Sequence, residues 1–125
     1  MFINELIDNE PHSIYVNFEQ TRKKFRDKGL VQGSIDMAFR NKVRKSNTIA
    51  TYNDKKINLL NGMYTNKLGV IKRIINENES VDVTDMERTL IDITVRPVYA
   101  GGTMEVLKAF IRAAETVSIS KLVNY

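Results

Sequence analysis

The chain has 125 residues, of which 42% are hydrophobic and 27% charged, with no cysteine and one histidine, His12. This composition predicts one globular domain and excludes disulfides, thiolate chemistry and a multi-histidine metal site, so we expect no cofactor and no metal. The chain has no apolar run long enough for a membrane helix, and its first ten residues do not resemble a secretory signal. A cytoplasmic protein without membrane contact is therefore expected.

The net charge of +4 is unevenly distributed along the chain. Residues 1–75 carry 14 Lys+Arg against 7 Asp+Glu, whereas residues 76–125 carry 5 against 8. Most of the excess lies in residues 21–45, where nine cations face only two carboxylates. A patch of this kind attracts nucleic-acid backbone, although a solvated basic surface is the alternative interpretation. The nine candidate nucleic-acid-binding residues are Arg22, Lys23, Lys24, Arg26, Lys28, Arg40, Lys42, Arg44 and Lys45.

The first predicted elements are a strand over residues 13–19 and a helix over residues 35–44. The strand follows a proline and is rich in β-branched and aromatic residues. Ser34 is the expected N-cap of the helix. Arg40 and Arg44 point away from its apolar arc, whereas Lys42 falls inside that arc, so either Lys42 snorkels or the helix ends before it. The apolar arc consists of Ile35, Ala38, Phe39 and Val43.

The middle of the chain is predicted to be rich in β-structure. Residues 49–52 and 57–60 are strand-like and flank the turn-forming "NDKK", which predicts a hairpin. Further strands are expected at residues 70–75 and 81–83. No repeat or proline-rich linker suggests an internal domain boundary.

The segment "TDMERTLIDITVRPVYAGG" predicts a helix, a sharp corner and a second helix. Thr84 and Glu87 have the form of a capping box at the start of a helix over residues 85–95. Pro97 ends that helix, and Gly101 and Gly102 allow positive φ in the corner. The exposed face of the helix carries Arg88, Asp92 and Arg96 at spacings of four, which predicts a charge ladder.

A second helix is expected over residues 104–114, with Thr103 as its cap. Its broad apolar stripe comprises Val106, Leu107, Phe110, Ile111 and Ala114. The whole pattern predicts an α+β fold, with a small, mainly antiparallel sheet packed against three or more helices and a helical C-terminal part.

The same corner has a functional alternative, because paired glycines before a helix can bind an anion. However, Glu87 and Asp92 are already assigned structural roles, and no phosphate-loop lysine accompanies the glycines. The structural interpretation is therefore favoured over a catalytic one.

The order of these motifs resembles the core of AbiEi-type proteins, a family of prokaryotic antitoxins described as transcriptional regulators of viral defence systems. The upstream segments "PHSIYVNFEQ" and "GSIDMAFRNKVRKSN" are also similar to a strand and a helix of that family. The matching residues are Glu87, Arg88, Thr89, Leu90 and Asp92, then Arg96, Pro97, Tyr99, Ala100, Gly101 and Gly102, then Glu105 and Val106.

The resemblance implies a non-enzymatic regulator of a phage-defence, abortive-infection system, paired with a nucleotidyltransferase-like toxin. Family members typically carry an N-terminal winged helix that binds operator DNA, and this sequence begins about where that domain should have ended. One domain over residues 1–125 is expected, as part of a longer family architecture. Operator recognition is not carried over.

Two functions remain open at this point. In the first, the basic segment assists contact with DNA or RNA. In the second, the chain is a protein-interaction module whose basic face docks on an acidic partner or on a second copy. An enzyme ranks third, because Glu87 and Asp92 are the only close pair of carboxylates with an arginine between them and both already have structural roles.

Overall fold

The computed structural model describes residues 6, 12–23, 31–42 and 45–125. The chain divides into two compact units, here called the basic unit (His12–Tyr64) and the helical unit (Thr65–Tyr125 together with Leu6). The expectation of one domain over residues 1–125 stays a prediction. None of the described helices combines the length and apolar composition that crossing a bilayer requires.

The basic unit contains a three-stranded sheet and one helix. Strands β1 (Ser13–Glu19), β2 (Ile49–Tyr52) and β3 (Lys55–Gly62) form a sheet of order β1–β3–β2. The predicted β2–β3 hairpin is antiparallel, whereas β1 pairs with β3 in parallel. Asn53 and Asp54 connect the hairpin at φ values of 45° and 62°, a conformation that these two residue types tolerate better than most.

Helix α1 (Gln32–Arg40) differs from the predicted helix at both ends. It begins two residues before Ser34, after Val31, which contributes no side-chain cap, so the prediction of Ser34 as N-cap is wrong. The chain becomes extended at Asn41 (ψ 147°), and Lys42 therefore lies beyond the helix and has no need to snorkel. The remaining predicted helical positions, residues 43 and 44, lie outside the described residues.

The helical unit begins with a two-stranded antiparallel sheet and continues with helices. The strands are β4 (Val70–Asn76) and β5 (Glu79–Thr84), and the helices are α2 (Met86–Val95), α3 (Thr103–Ala113) and α4 (Ile119–Asn124). The predicted α+β class is confirmed. The strands form two small sheets, because β4 and β5 pair only with each other among the described strands.

The core of the helical unit forms where α2 and α3 pack together. Leu90 and Ile93 project from α2, and two small side chains of α3, Ala109 and Ala113, are almost fully buried. Small residues at such a contact let two helices approach closely, which leaves larger apolar side chains of α3 at the surface. The buried cluster comprises Leu6, Leu90, Ile93, Val106, Ala109 and Ala113, with Met86, Ala100 and Val117 packed against it.

The corner between α2 and α3 has the predicted backbone conformation. A short 3₁₀ turn starts at Pro97, and the N–H of Gly102 donates to the Pro97 carbonyl at 2.8 Å. Gly101 and Gly102 have φ values of 94° and 112°, which confirms the prediction of positive φ. Thr103 is the first helical residue of α3 and Gly102 occupies the N-cap position, so the prediction of Thr103 as cap is wrong.

Candidate functional site

The start of α2 is capped by Asp85, one residue later than the sequence predicted. Oδ1 of Asp85 accepts a hydrogen bond from the N–H of Arg88 at 2.9 Å, while the Thr84 hydroxyl lies 2.8 Å from that of Thr89. The capping box of Thr84 and Glu87 is therefore wrong. The physical reason is that aspartate is an equally good N-cap, and that Glu87 makes stronger contacts elsewhere.

The carboxylate of Glu87 contacts the start of α4. Its Oε1 accepts from the N–H of Ser118 at 2.8 Å, and its Oε2 lies 3.3 Å from Nζ of Lys121. Ser118 also caps α4, because its hydroxyl accepts from the N–H of Lys121 at 3.3 Å. Glu87 is thus buried at a place where free N–H groups and a cation favour negative charge.

Lys121 and Tyr125 complete this arrangement by reaching back to Asp85. Nζ of Lys121 is 2.7 Å from Oδ2 of Asp85, and the Tyr125 hydroxyl donates to the same oxygen at 2.5 Å. We call Asp85, Glu87, Lys121 and Tyr125 the ion cluster. Within the described residues, no buried side-chain nitrogen or oxygen lacks a hydrogen-bond partner.

The contacts of the ion cluster fix the protonation of its members. The Ser118 N–H lowers the pKa of Glu87. Burial would raise the pKa of Asp85, but the hydrogen bonds from Lys121 and Tyr125 outweigh it and lower that pKa. The hydrogen bond to Asp85 raises the pKa of Lys121 and that of Tyr125. Both carboxylates are consequently held ionised and the lysine is held protonated near neutral pH.

These properties make the ion cluster a structural device. A general base needs a pKa near the working pH, and a nucleophilic lysine needs a lowered one, which is the opposite of what is found here. Among the described residues, no three Asp, Glu or His side chains converge as a metal site would require. The ion cluster therefore joins α4 to the start of α2.

The predicted charge ladder on α2 is half formed. Nε of Arg88 lies 2.9 Å from Oδ1 of Asp92, and its guanidinium also donates to the Leu68 carbonyl at 3.2 Å. Arg96 has left the helix at φ −136° and ψ 72°, because it precedes Pro97. The predicted extension of the ladder to Arg96 is therefore wrong. Tyr99, which follows in the 3₁₀ turn, is half-buried.

No family model, curated protein or solved structure matches the chain. The likeness to AbiEi-type proteins therefore stays a prediction.

Five of the nine predicted nucleic-acid-binding residues are described, and all five are exposed. They lie after β1, at or just beyond the end of α1, and before β2, and none has an ion-pair partner among the residues that the structure describes. They are Arg22, Lys23, Arg40, Lys42 and Lys45. The other four, Lys24, Arg26, Lys28 and Arg44, lie outside the described residues.

The two units of the chain have formal charges of opposite sign. The basic unit carries 11 Lys+Arg against 4 Asp+Glu, a formal charge of +7, and the remainder of the chain carries 8 against 11, a formal charge of −3. The sequence indicated an asymmetry between two halves, and most of the positive charge falls within the sequence range of the basic unit.

The sheet of the basic unit has an open apolar face that the sequence did not reveal. A depression of about 310 Å³ lies on it, lined in part by Val16, Phe18 and Leu59. Strand patterns predict which side chains share a face, but they do not show whether another element covers it.

Proposed function

We propose that the chain is the non-enzymatic core of an AbiEi-type regulator, an antitoxin-like module of a prokaryotic phage-defence system that works beside a nucleotidyltransferase-like toxin. In this proposal the basic unit contacts the backbone of DNA or RNA. This contact is supported by the concentration of a +7 formal charge within the 53-residue sequence range of the basic unit.

The exposed cations are suited to phosphate contact. A lysine or arginine that already pairs with a carboxylate must give up that partner before it can neutralise a phosphate. Arg22, Lys23 and Lys45 have no such partner among the described residues, so their full charge is directed to solvent. Contacts to phosphate release counterions and carry no sequence information, so binding should be salt-dependent and largely non-specific.

A salt titration of nucleic-acid binding tests this proposal. The intact chain is added to fluorescently labelled oligonucleotides of unrelated sequence between about 25 and 200 mM salt. We expect similar affinities for all sequences and a linear fall of the logarithm of the binding constant with the logarithm of the salt concentration. Absence of binding at the lowest salt would refute the contact with nucleic acid.

The second candidate function, a protein-interaction module, is favoured by one observation on α3, which is a different surface from the basic face that the sequence suggested. Met104, Leu107 and Ile111 recur at spacings of three and four, and all are exposed, whereas the opposite face of the helix packs into the core. A row of exposed apolar side chains is typical of surfaces that bind another protein.

Light scattering combined with size-exclusion chromatography tests the second candidate. If this face mediates self-association, the intact chain is a dimer or larger, and the variant Leu107→Glu is a monomer. A monomeric intact chain would refute self-association through this face.

A further inference from the structure

Beyond general backbone contact, we infer that the open face of the β1–β3–β2 sheet binds single-stranded nucleic acid, with Phe18 and Tyr52 stacking on bases. This inference rests on the proposed function, because it names the form of nucleic acid that the basic unit recognises.

The strand register places the two aromatic rings on the same face of the sheet. Phe18 lies opposite Asn61, and Tyr52 lies opposite Lys55, in the neighbouring strand β3. Side chains 55, 57, 59 and 61 of β3 lie on one face of the sheet, because every second residue of a strand points to the same side. Directly paired residues in neighbouring strands also point to the same side, so Phe18 and Tyr52 share this face. Four of the six residues that line the depression, Val16, Phe18, Leu59 and Asn61, share this face by the register, while Leu60 alternates to the other face and Thr48 precedes β2.

Both rings are unusually open to solvent. Phe18 is 77% exposed and Tyr52 is 69% exposed, so most of each ring is free to contact a ligand. They mark the two ends of the face, separated by six residues of β3 or roughly 20 Å. Between them the face is apolar, with Ile14, Val16, Ile57 and Leu59 on β1 and β3.

Cations flank this face. Arg22 and Lys23 follow the end of β1 near Phe18, and the pairing continues one residue past β1 through the Gln20 N–H to the Gly62 carbonyl. At the opposite edge of the sheet, before β2, Lys45 precedes Ser46, whose hydroxyl donates to the Leu59 carbonyl. Positive charge therefore lies along both edges of the sheet at the end that carries Phe18.

This combination matches a single strand better than a duplex or an acidic protein segment. A single strand presents phosphates and unstacked bases together, so aromatic rings can stack on the bases while cations contact the backbone. In a duplex the bases are stacked on one another, and their faces are unavailable to Phe18 and Tyr52. An acidic peptide would use the cations but would leave both exposed rings without a matching planar group.

The test measures the affinity of the intact chain for a labelled twelve-residue oligothymidine and for a duplex of the same length at one low salt concentration. The double variant Phe18→Leu and Tyr52→Leu keeps the charge and the apolar character but removes both ring faces. We expect at least about tenfold weaker binding to the single strand, since each stacked base contributes substantially to affinity, and an unchanged affinity for the duplex.

Two controls separate stacking from a general loss of structure. The double variant Phe18→Tyr and Tyr52→Phe keeps both rings and should bind the single strand as the intact chain does. Tyr15→Leu removes an aromatic ring from the opposite face of β1 and should also leave the affinity unchanged, with all circular dichroism spectra superimposable.

The outcomes distinguish this inference from the proposed function. Binding to both oligonucleotides that the leucine variant does not alter would overturn the inference while leaving the backbone contact intact. Failure to bind either oligonucleotide would overturn both. Self-association that the leucine variant abolishes, without any binding to the single strand, would assign the face to a second copy and also overturn the inference.

Discussion

The ammonium of Lys121 lies 2.7 Å from Oδ2 of Asp85, although the two residues are 36 positions apart in the chain. Lys121 belongs to α4 and Asp85 caps α2, so this contact connects the starts of two helices. The Asp85 and Glu87 side chains are buried, whereas Lys121 remains about half exposed. The pair therefore combines the cost of burying anions with a cation that water still reaches.

Removing the cation should destabilise the helical unit. In Lys121→Met two buried carboxylates lose the cation that pairs with both of them among the described residues. We expect the free energy of unfolding to fall by about 1–3 kcal/mol, less than for a fully buried pair because water screens Lys121. Lys108→Met is the matched control, since Lys108 pairs with Glu105 at 2.8 Å on the exposed surface of α3 and should cost under about 1 kcal/mol. Urea unfolding measures both, and equal losses would contradict the structural role of the ion cluster.

The ion cluster should also give the stability a defined pH dependence. The pKa values of Asp85 and Glu87 are lowered in the folded chain, so their ionised carboxylates stabilise the fold at any pH above their ordinary pKa values, near 4. This stabilisation is lost as the pH falls through the lowered pKa values. The pKa values of Lys121 and Tyr125 are raised in the folded chain, so their protonated forms stabilise the fold below about pH 10. This stabilisation is lost as the pH rises through the raised pKa values.

Chemical unfolding between about pH 2 and 11 tests this expectation. Stability should be nearly constant from about pH 5 to 9 and should fall on either side. Glu87→Gln should flatten the acid fall, because its side-chain oxygen can still accept from Ser118 but no longer titrates. An unchanged acid fall in that variant would show that other groups cause it.

A methyl group at Gly102 should strain the corner between α2 and α3. With φ at 112° and ψ at 177°, this residue has a conformation that is costly for other amino acids, and Gly102→Ala should lose about 1–3 kcal/mol of stability. A Cβ at Gly102 would meet no neighbouring atom, so the loss would come from the backbone alone.

Gly33→Ala is the control, because Gly33 is helical and also has open space around a Cβ. That variant should be neutral or slightly stabilising. Melting temperatures compare the two, and a Gly102 variant as stable as the Gly33 variant would contradict the strain. Retained stability together with loss of an anion ligand would instead favour the anion-binding interpretation of the corner.

Two leucines of the helical unit should differ sharply in their contribution to stability. Leu90 is 0% exposed between α2 and α3, whereas Leu107 is 53% exposed on the outer face of α3. Leu90→Ala should cost about 2–5 kcal/mol through lost burial and a cavity, and Leu107→Ala well under about 1 kcal/mol. If denaturant unfolding gave Leu107→Ala the larger cost, a second copy covering α3 would be the simplest explanation.

Neutralising the exposed cations of the basic unit should weaken nucleic-acid binding without changing sequence preference. In the triple variant of Arg22, Lys23 and Lys45 to glutamine, the salt slope should become shallower by up to about three units, since each lost phosphate contact removes roughly 0.9. The control replaces Lys72, Arg73 and Lys108 of the helical unit by glutamine. Equal changes in slope for both triple variants would refute a binding surface confined to the basic unit.

The sequence predicted local features of the fold better than distant contacts. Pro97, Gly101 and Gly102 predict the corner between α2 and α3, because the backbone preferences of proline and glycine are intrinsic. The hairpin and the strands are predicted by short sequence patterns. The N-caps were harder, since adjacent Thr84 and Asp85 are both competent and the choice depends on Lys121 and Tyr125 far along the chain.

The candidate surfaces show the same division. The cluster of cations in the basic unit can be predicted from the sequence, because the number of charged residues in a segment does not depend on how the segment folds. The ion cluster is not, since nothing near Lys121 or Tyr125 indicates that both approach Asp85. The exposure of the face that carries Phe18 and Tyr52 depends on which other elements pack against the sheet, and alternation along a strand does not encode that.

The parallel pairing of β1 with β3 has a consequence for how the protein is made. Ser13 lies opposite Lys56, and 43 positions separate every pair in this ladder, whereas β2 and β3 join through a two-residue turn. We expect the hairpin to form first, because closing a long loop costs more entropy than closing a short one. At roughly 5–20 residues per second, β1 leaves the ribosome several seconds before its partner strand. During that interval β1 has no partner strand, and its backbone N–H and C=O groups can bond only to water.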